Sequence, residues 1–450
     1  MNLTARSVAA AVLTRVSQKG AFASAALEAE LGAAAQLEPR DRALATEIVY
    51  GALRTMTFIE SRIEKFSSRP LDRVDPKVRV HLIVAAYQMY FLTRVPKFAA
   101  VNEAVDAVNG SHGGKVGGFA NAVLRKLATD AEKDPVTFGD AMAASAPAWL
   151  KDALARSLGG EEAAKAFIVS AAEPTDVGIC VYDASERDAW ITKLAAAHPD
   201  ATFRAGEFSP HAIRAKNAGR PQDLEGFASG ALTIQEEGSQ LVALDLGAQP
   251  GEHVLDACAG RGNKTALLAN AVGKDGAVDA ADSHPKKLER LVIELGSVHL
   301  AARETFAVDW TLGLGDVIAK SYDRVLVDAP CSGTGTIRRR PEIFARRQET
   351  DLPALAALQS AILARAAQAV KPGGTLIYAV CSVLKDECED VVAAFLEQTP
   401  EFSASPFSSA LVRKIADDAS SASNESALRL LPGVHGTEGY FVASFTRLVE

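Results

Sequence analysis

Cysteine is scarce in this chain. Five stand in 450 residues, an odd number without close pairing, which excludes a disulfide framework and leaves the thiols reduced and open to chemistry. Aromatic residues reach only 6%. The longest apolar runs are broken by charge well short of the roughly 18–20 residues that a membrane-spanning helix needs. The opening stretch, Met1-Asn-Leu-Thr-Ala-Arg-Ser, holds no continuous apolar core of the secretory kind. A cytoplasmic location is therefore expected. What is present is an ordinary globular composition, 48% hydrophobic and 23% charged, which excludes fibrous, collagen-like and disordered chains. At about 150 residues per domain, two or three domains are expected.

Net charge is −8, from 48 basic and 56 acidic side chains, which alone argues weakly against a nucleic-acid partner. The distribution argues the other way. Residues 1–130 hold 17 basic and 12 acidic side chains, and the remainder holds 31 and 44. A basic N-terminal part suits an anionic polymer, although scattered charge on solvated helices would look the same.

The first 130 residues read as an all-helical bundle. Val8, Val12, Leu13 and Val16 recur at helical spacing after Thr4, and Ile48, Leu53 and Ile59 continue the pattern. Residues 80–92 are apolar nearly all round, predicting a buried central helix that Pro96 ends. Residues 111–118, rich in glycine, predict a flexible connection. Residues 136–230 read as a small α+β connecting domain, with a strand at 177–182 and a helix at 188–197. From 231 onward short apolar runs at 254–256, 277–280, 324–328 and 375–379 alternate with helical segments. That is the signature of a mostly parallel, doubly wound sheet, which binds ligands outside the carboxyl ends of its strands. Eight serines in residues 402–427 predict a mobile surface loop.

Chemistry concentrates at those strand ends. Val254-Leu-Asp256 is followed by Cys258-Ala259-Gly260-Arg261-Gly262-Asn263-Lys264, a small-residue turn into a helix. Such a turn lets a ligand approach the backbone and the helix N-terminus. It is not a phosphate loop, which needs glycine where Asn263 stands, and it lacks the dinucleotide order of glycines. Asp282 and Asp309 each follow a later strand, where an acid suits a ribose or an adenine amino group; either alone would serve equally as a cap. Asp328-Ala-Pro330-Cys331-Ser332-Gly and Tyr378-Ala-Val-Cys381-Ser382 place two cysteines near strand ends, 50 residues apart. One such cysteine is usually inert packing; two facing one crevice suggest chemistry. Zinc is not expected, since there is no C-x-x-C and no nearby histidine pair. A redox dithiol stays open, though it too usually shows C-x-x-C. Arg338, Arg339, Arg340, Arg346 and Arg347 crowd ten residues, suiting phosphate contacts or an exposed helix start balanced by Glu342, Glu349 and Asp351.

These motifs resemble the bacterial RsmB (Sun/Fmu) branch of the RsmB/NOP2/NSUN family of RNA cytosine-5 methyltransferases over nearly the whole chain. The most specific parts are Asp328-Ala-Pro-Cys-Ser-Gly-Thr-Gly-Thr-Ile-Arg-Arg-Arg-Pro-Glu, residues 351–359, Lys371-Pro-Gly-Gly-Thr-Leu-Ile-Tyr-Ala-Val-Cys-Ser, and Pro432-Gly-Val-His-Gly-Thr-Glu-Gly-Tyr-Phe. Gly118-Phe-Ala-Asn-Ala-Val-Leu-Arg-Lys is similar to the branch's NusB-type RNA-binding domain. The resemblance implies three domains: NusB-like and helical over 1–135, a connecting α+β domain over 136–230, and a Rossmann-like methyltransferase domain over 231–450. It implies S-adenosylmethionine as cofactor, held by Cys258 to Lys264, Asp282, Asp309 and Asp328, and small-subunit (16S) ribosomal RNA as substrate. A monomer with neither metal nor membrane partner is expected. Cys381 is implied as the nucleophile, Cys331 as the residue assisting release, and Asp328 as a hydrogen-bond partner of the cytosine edge. The chain departs from the family's usual Cys-Ala-Ala-Pro-Gly-Gly-Lys turn at Gly260, Arg261 and Asn263, and has Val380 for threonine. Two other readings stand beside this one. The first is an RNA-binding assembly factor with weak or lost catalysis, which the altered turn motivates. The second, a nicotinamide oxidoreductase, is disfavoured by the missing fingerprint.

Overall fold

The computed structural model describes residues 3–67, 69–416 and 425–449. The chain folds into two compact units. The first contains the residues up to Asp152, Glu161–Glu173 and Ile337–Arg347; the second contains Ala153–Gly160, Pro174–Thr336 and the residues from Gln348 onward. These units divide the chain differently from the three expected segments. Residues 136–152 lie with the helical unit and residues 174–230 with the second.

Helices build the first unit, for reasons visible in the sequence. Thr4 caps the helix Ala5–Lys19, its hydroxyl accepting the Ser7 N–H at 3.2 Å. Val8, Val12, Leu13 and Val16 share one face and are buried. The central helix runs Pro76–Phe91, with Asp75 accepting the Lys77 N–H at 2.8 Å and proline at the first helical position. It is buried on all sides from Leu82 to Met89. The expected connection over 111–118 shrinks to one residue. Helices Lys97–His112 and Gly114–Lys133 meet at Gly113, whose φ of +79° turns the chain. Leu124 and Leu127, fully buried, hold the second of these helices in the core.

The second unit holds two sheets. Strands β1 (Val177–Val181), β2 (Thr202–Ala205), β3 (Ala212–Lys216) and β4 (Leu232–Ile234) form an antiparallel sheet in the order β2-β3-β1-β4, accompanied by the helix Arg187–Ala197. This is the expected α+β texture.

The larger sheet contains β5 (His253–Asp256), β6 (Ala277–Asp282), β7 (Thr305–Ala307), β8 (Tyr322–Asp328), β9 (Val370–Val380), β10 (Phe402–Ala404), β11 (Ala427–Leu430) and β12 (Tyr440–Arg447). Its order is β10-β12-β9-β8-β5-β6-β7, with β11 paired to β12. Strands β5 to β9 pair in parallel, while β10, β11 and β12 add antiparallel edges, so the sheet is mixed. The parallel core is apolar on both faces, as Val325, Leu326, Val327 and Leu376 to Val380 are all fully buried. The chain winds outward from β5 through β6 to β7, then restarts at β8 on the other side. The reversal between β5 and β8 opens a crevice at their carboxyl ends.

The expected loop over 402–427 is partly ordered secondary structure. Phe402–Ala404 pairs with β12, and a helix spans Ala410–Ala416. Fully buried Phe407 and Val412 supply the apolar anchors that a serine count hides. Residues 417–424 of that stretch lie outside the described residues. No helix among the described residues is long and apolar enough to cross a membrane.

Candidate active site

The turn after β5 is shaped by glycine. Gly260 sits at φ +57° and Gly262 at φ +91°, a left-handed region that costs other residues roughly 1–2 kcal/mol. A Cβ on Gly260 would meet no atom within 4 Å, so the turn faces open space; a Cβ on Gly262 would press Leu291 at 2.8 Å. The helix Asn263–Val272 starts immediately after, presenting its N-terminus to the same crevice. Arg261, bulky where the family usually has proline, is exposed and donates to Glu294 at 2.8 Å, turning its side chain onto the helix Pro285–Ser297. Asn263 is exposed and Ala259 buried. The Cys258 thiol is pushed well above its usual range, by burial first and then by Asp256, Asp328 and Asp282. Its thiol thus keeps its proton.

Asp282 closes β6 with its carboxylate almost fully buried. It accepts the Gly260 N–H at 3.1 Å and the His284 N–H at 2.8 Å, and Lys287 Nζ lies at 3.3 Å. It thereby braces the turn from below. Asp309 is exposed and accepts from the Thr311 N–H at 2.9 Å and the Thr311 hydroxyl at 2.6 Å. The Thr311 bonds hold its carboxyl below the usual range. Neighbouring Trp310, which sequence reasoning passed over, is buried and donates from Nε1 to the Ala257 carbonyl at 2.7 Å, pinning the β5 turn.

Lys264 and Asp328 meet across the crevice, Nζ donating to Oδ2 at 2.6 Å. Burial would lower the Lys264 ammonium, yet the Asp328 carboxylate, Asp256 and the Cys381 sulfur together raise it. Two loops then bring the expected cysteines face to face, with the Cys331 and Cys381 sulfurs 3.4 Å apart and both side chains half-buried. Strand pairing explains the meeting, since β8 and β9 run parallel with Asp328 opposite Ala379. The Cys331 thiol is lifted well above its usual range, first by its hydrogen bond with Cys381, then by burial and by the charge of Cys381 and Glu387. Tyr440, also unforeseen, is buried beside the same groups. Burial first, then Glu236, Cys381, Glu438 and Asp328, push its phenol up.

Asp256 offers a pH test. Burial raises it to about 6; the Thr265 hydroxyl bond opposes that, and the Asp328 charge adds to it. A carboxyl whose folded value lies above its unfolded one stabilises fully below the unfolded value and loses that contribution as pH rises through about 6. Asp256→Asn is therefore expected to gain on the wild type, by on the order of 2 kcal/mol, between about pH 4 and about pH 7. Urea unfolding of both proteins across that window checks it.

The arginine run belongs to the first unit and divides within itself. Arg338 is 6% exposed and donates to the Ser170 carbonyl at 2.8 Å, and its own carbonyl accepts from Arg54. This corrects the expectation of a phosphate contact there. Its guanidinium is buried in a bond to the backbone. Arg339 and Arg347 are half-buried. Arg340 is exposed, and exposed Arg346 donates to the Gly20 carbonyl at 3.0 Å while lying 3.9 Å over the Phe22 ring.

Residues 243–446 match the model described as 16S rRNA methyltransferase RsmB/F, and residues 3–129 match the NusB family. The "Probable ribosomal RNA small subunit methyltransferase B" of Bacillus subtilis is 30% identical over 98% of this chain and 98% of its own length. The chain belongs to the RsmB/F family. Its "Ribosomal RNA small subunit methyltransferase B" relative in Pseudomonas putida is 33% identical over 88% of this chain and 89% of that one. Among solved structures, PH0851 superposes with a TM-score of 0.79 at 23% identity, covering 99% of both chains. NSun6 from Pyrococcus horikoshii with SFG gives 0.57 at 17% identity, covering 68% of this chain and 99% of that one. The two family matches and the likeness to PH0851 together show a NusB-like helical N-terminal domain and a Rossmann-like methyltransferase domain with a mixed sheet.

Proposed function

We propose that this chain methylates carbon 5 of a cytosine in small-subunit ribosomal RNA, using S-adenosylmethionine and a covalent Cys381 adduct. The observation that carries the reading is the pair of thiols 3.4 Å apart beside the Lys264–Asp328 ion pair. Family membership supplies the coarser statement, an rRNA methyltransferase. In this reading residues 1–135 bind RNA, 136–230 connect, and 231–450 catalyse, within the cytoplasm. Exposed Arg340 and Arg346, with half-buried Arg339 and Arg347, meet RNA phosphates.

The crevice suits the cofactor. The open left-handed turn at Gly260, the helix N-terminus at Asn263 and the braced carboxylate of Asp282 form a small-residue cradle. Cys258 to Lys264, Asp282, Asp309 and Asp328 would hold S-adenosylmethionine, which supplies an electrophilic methyl group when bound. Carbon 5 of cytosine is too weak a nucleophile to accept it unaided. The Cys381 thiolate adds to carbon 6, and the new carbon–sulfur bond shifts electron density onto carbon 5. Lys264, electrostatically coupled to Cys381, favours the thiolate. With the oxygen that Lys264 leaves, Asp328 accepts from the amino group of the ring, and from N3 once that nitrogen is protonated. After methylation the carbon-5 proton departs toward Cys331 or a base that Cys331 orients. Its electrons re-form the ring double bond and expel the Cys381 sulfur. The target base must be unstacked to reach these groups.

Incubation with labelled S-adenosylmethionine and small-subunit ribosomal RNA, followed by nucleoside analysis, tests the proposal. Label in 5-methylcytidine is the expected result. Label in another nucleoside would overturn the chemistry, and RNA binding without label would favour the assembly-factor reading. The turned-out Arg261 side chain weakens the original motive for that alternative.

A further inference from the structure

Glu387 takes no part in the chemistry above, yet it is fully buried between the two cysteine loops. Burying a carboxylate is costly unless its oxygens are satisfied. Here four donors converge on it. The Ser332 N–H at 2.7 Å and Gln359 Nε2 at 2.9 Å reach one oxygen. The Ser332 hydroxyl at 2.5 Å and the Ser382 hydroxyl at 2.6 Å reach the other. Ser332 directly follows Cys331, and Ser382 directly follows Cys381. One side chain therefore grips the neighbour of each thiol.

The rest of the network fixes Glu387 itself. The Tyr378 hydroxyl, from β9, donates to the Glu387 carbonyl at 2.7 Å. Gln359, on the helix Asp351–Ala366, also donates to the Pro330 carbonyl at 3.0 Å, one residue before Cys331. Thr334 and Ser382 hydroxyls meet at 3.0 Å, and the Gly335 N–H donates to the Cys381 carbonyl at 3.0 Å. Both loops are thus cross-braced, and the carboxylate is the group they share. We propose that Glu387 is a positioning residue that sets the spacing of the Cys331 and Cys381 sulfurs. The proposal rests on the reading of those thiols as the reacting pair.

Two variants of the full-length protein test it. Glu387→Gln keeps the shape but turns one two-acceptor oxygen into a donor facing two serine hydroxyls. Glu387→Asp keeps the charge but shortens the reach. Diamide reports the spacing without any methylation: its nitrogen–nitrogen double bond takes the two thiol hydrogens and becomes a hydrazine, leaving a disulfide. Mass spectrometry of the Cys331–Cys381 linked peptide follows its rate. In Glu387→Gln that rate is expected to fall by about tenfold or more, since a misplacement near 1 Å costs up to about a hundredfold. With RNA, kcat is expected to fall similarly while KM for S-adenosylmethionine stays within about twofold, and covalent RNA adduct accumulates.

Wild-type cross-linking rate and kcat in a folded variant would overturn the proposal. So would a lowered melting temperature with an unchanged cross-linking rate, which is the mark of a merely structural role. If Glu387→Gln fails to fold, Glu387→Asp is judged by the same criteria. If the wild type methylates no cytosine, a slowed diamide reaction still supports the spacing role, and the assignment of the reaction alone falls.

Discussion

Cys381→Ala is expected to reduce methyl transfer by about four orders of magnitude or more and to abolish covalent RNA–protein adducts. Cys331→Ala should behave in the opposite sense, forming an adduct that persists and is seen as a retarded band on denaturing gels. The asymmetry follows from the surroundings of the pair. The Cys331 thiol is raised by its bond to Cys381 and by burial, whereas the Cys381 sulfur couples electrostatically to the Lys264 ammonium. A thiolate is the attacking species, and the sulfur that couples to the cation is the better placed to be one. Product release then needs a group 3.4 Å away to handle the departing proton. Adduct in Cys381→Ala and none in Cys331→Ala would exchange the two roles.

Lys264→Met should be the most damaging change that leaves both thiols in place. The ion pair with Asp328 is largely buried, its side chains 13% and 27% exposed. Removing one partner of such a pair leaves an uncompensated charge, a loss of about 3 kcal/mol. Asp328 would then face Asp256 and Cys381 without its cation. Urea unfolding should register the loss, and methyl transfer should fall further than the unfolded fraction explains. Lys264→Met combined with Asp328→Asn should recover much of the stability, because the stranded charge is gone. Strict additivity of the two changes would mean that the pair contributes nothing as a pair.

The features legible from sequence are those written in local pattern. Val325 to Val327 and Leu376 to Val380 are apolar without alternation, so both faces had to be covered, and a parallel sheet covers both. The thiol pair was legible for a related reason: each cysteine follows such a run, and adjacent parallel strands end side by side. Asp309 and Arg338 show where this reasoning stops. Asp309 bonds Thr311, a choice made by the turn, and Arg338 bonds a carbonyl 168 residues away. Thr311 lies only two residues from Asp309, whereas Ser170 cannot be read from the neighbourhood of Arg338. Glu387 sits in Asp386-Glu-Cys-Glu, which reads as a solvated acidic face; only folding surrounds it with four donors. The one signal available was the serine after each cysteine, a hydroxyl in two matching positions. Trp310 was likewise silent until its indole nitrogen met the Ala257 carbonyl.

The helical unit has a consequence for biosynthesis, because it is not continuous in the chain. Its last piece, Ile337–Arg347, comes 164 residues after Glu173. A ribosome adding about 5–20 residues per second delivers that piece roughly 10–30 seconds late. Until then the Ser170 and Gly20 carbonyls lack the arginines that reach them in the finished protein. The N-terminal helices can assemble early, but their closing segment is held back until half of the strands of the larger sheet, β5 to β8, have been translated. A chain interrupted before Ile337 would carry the whole N-terminal sequence and still lack the part that completes it.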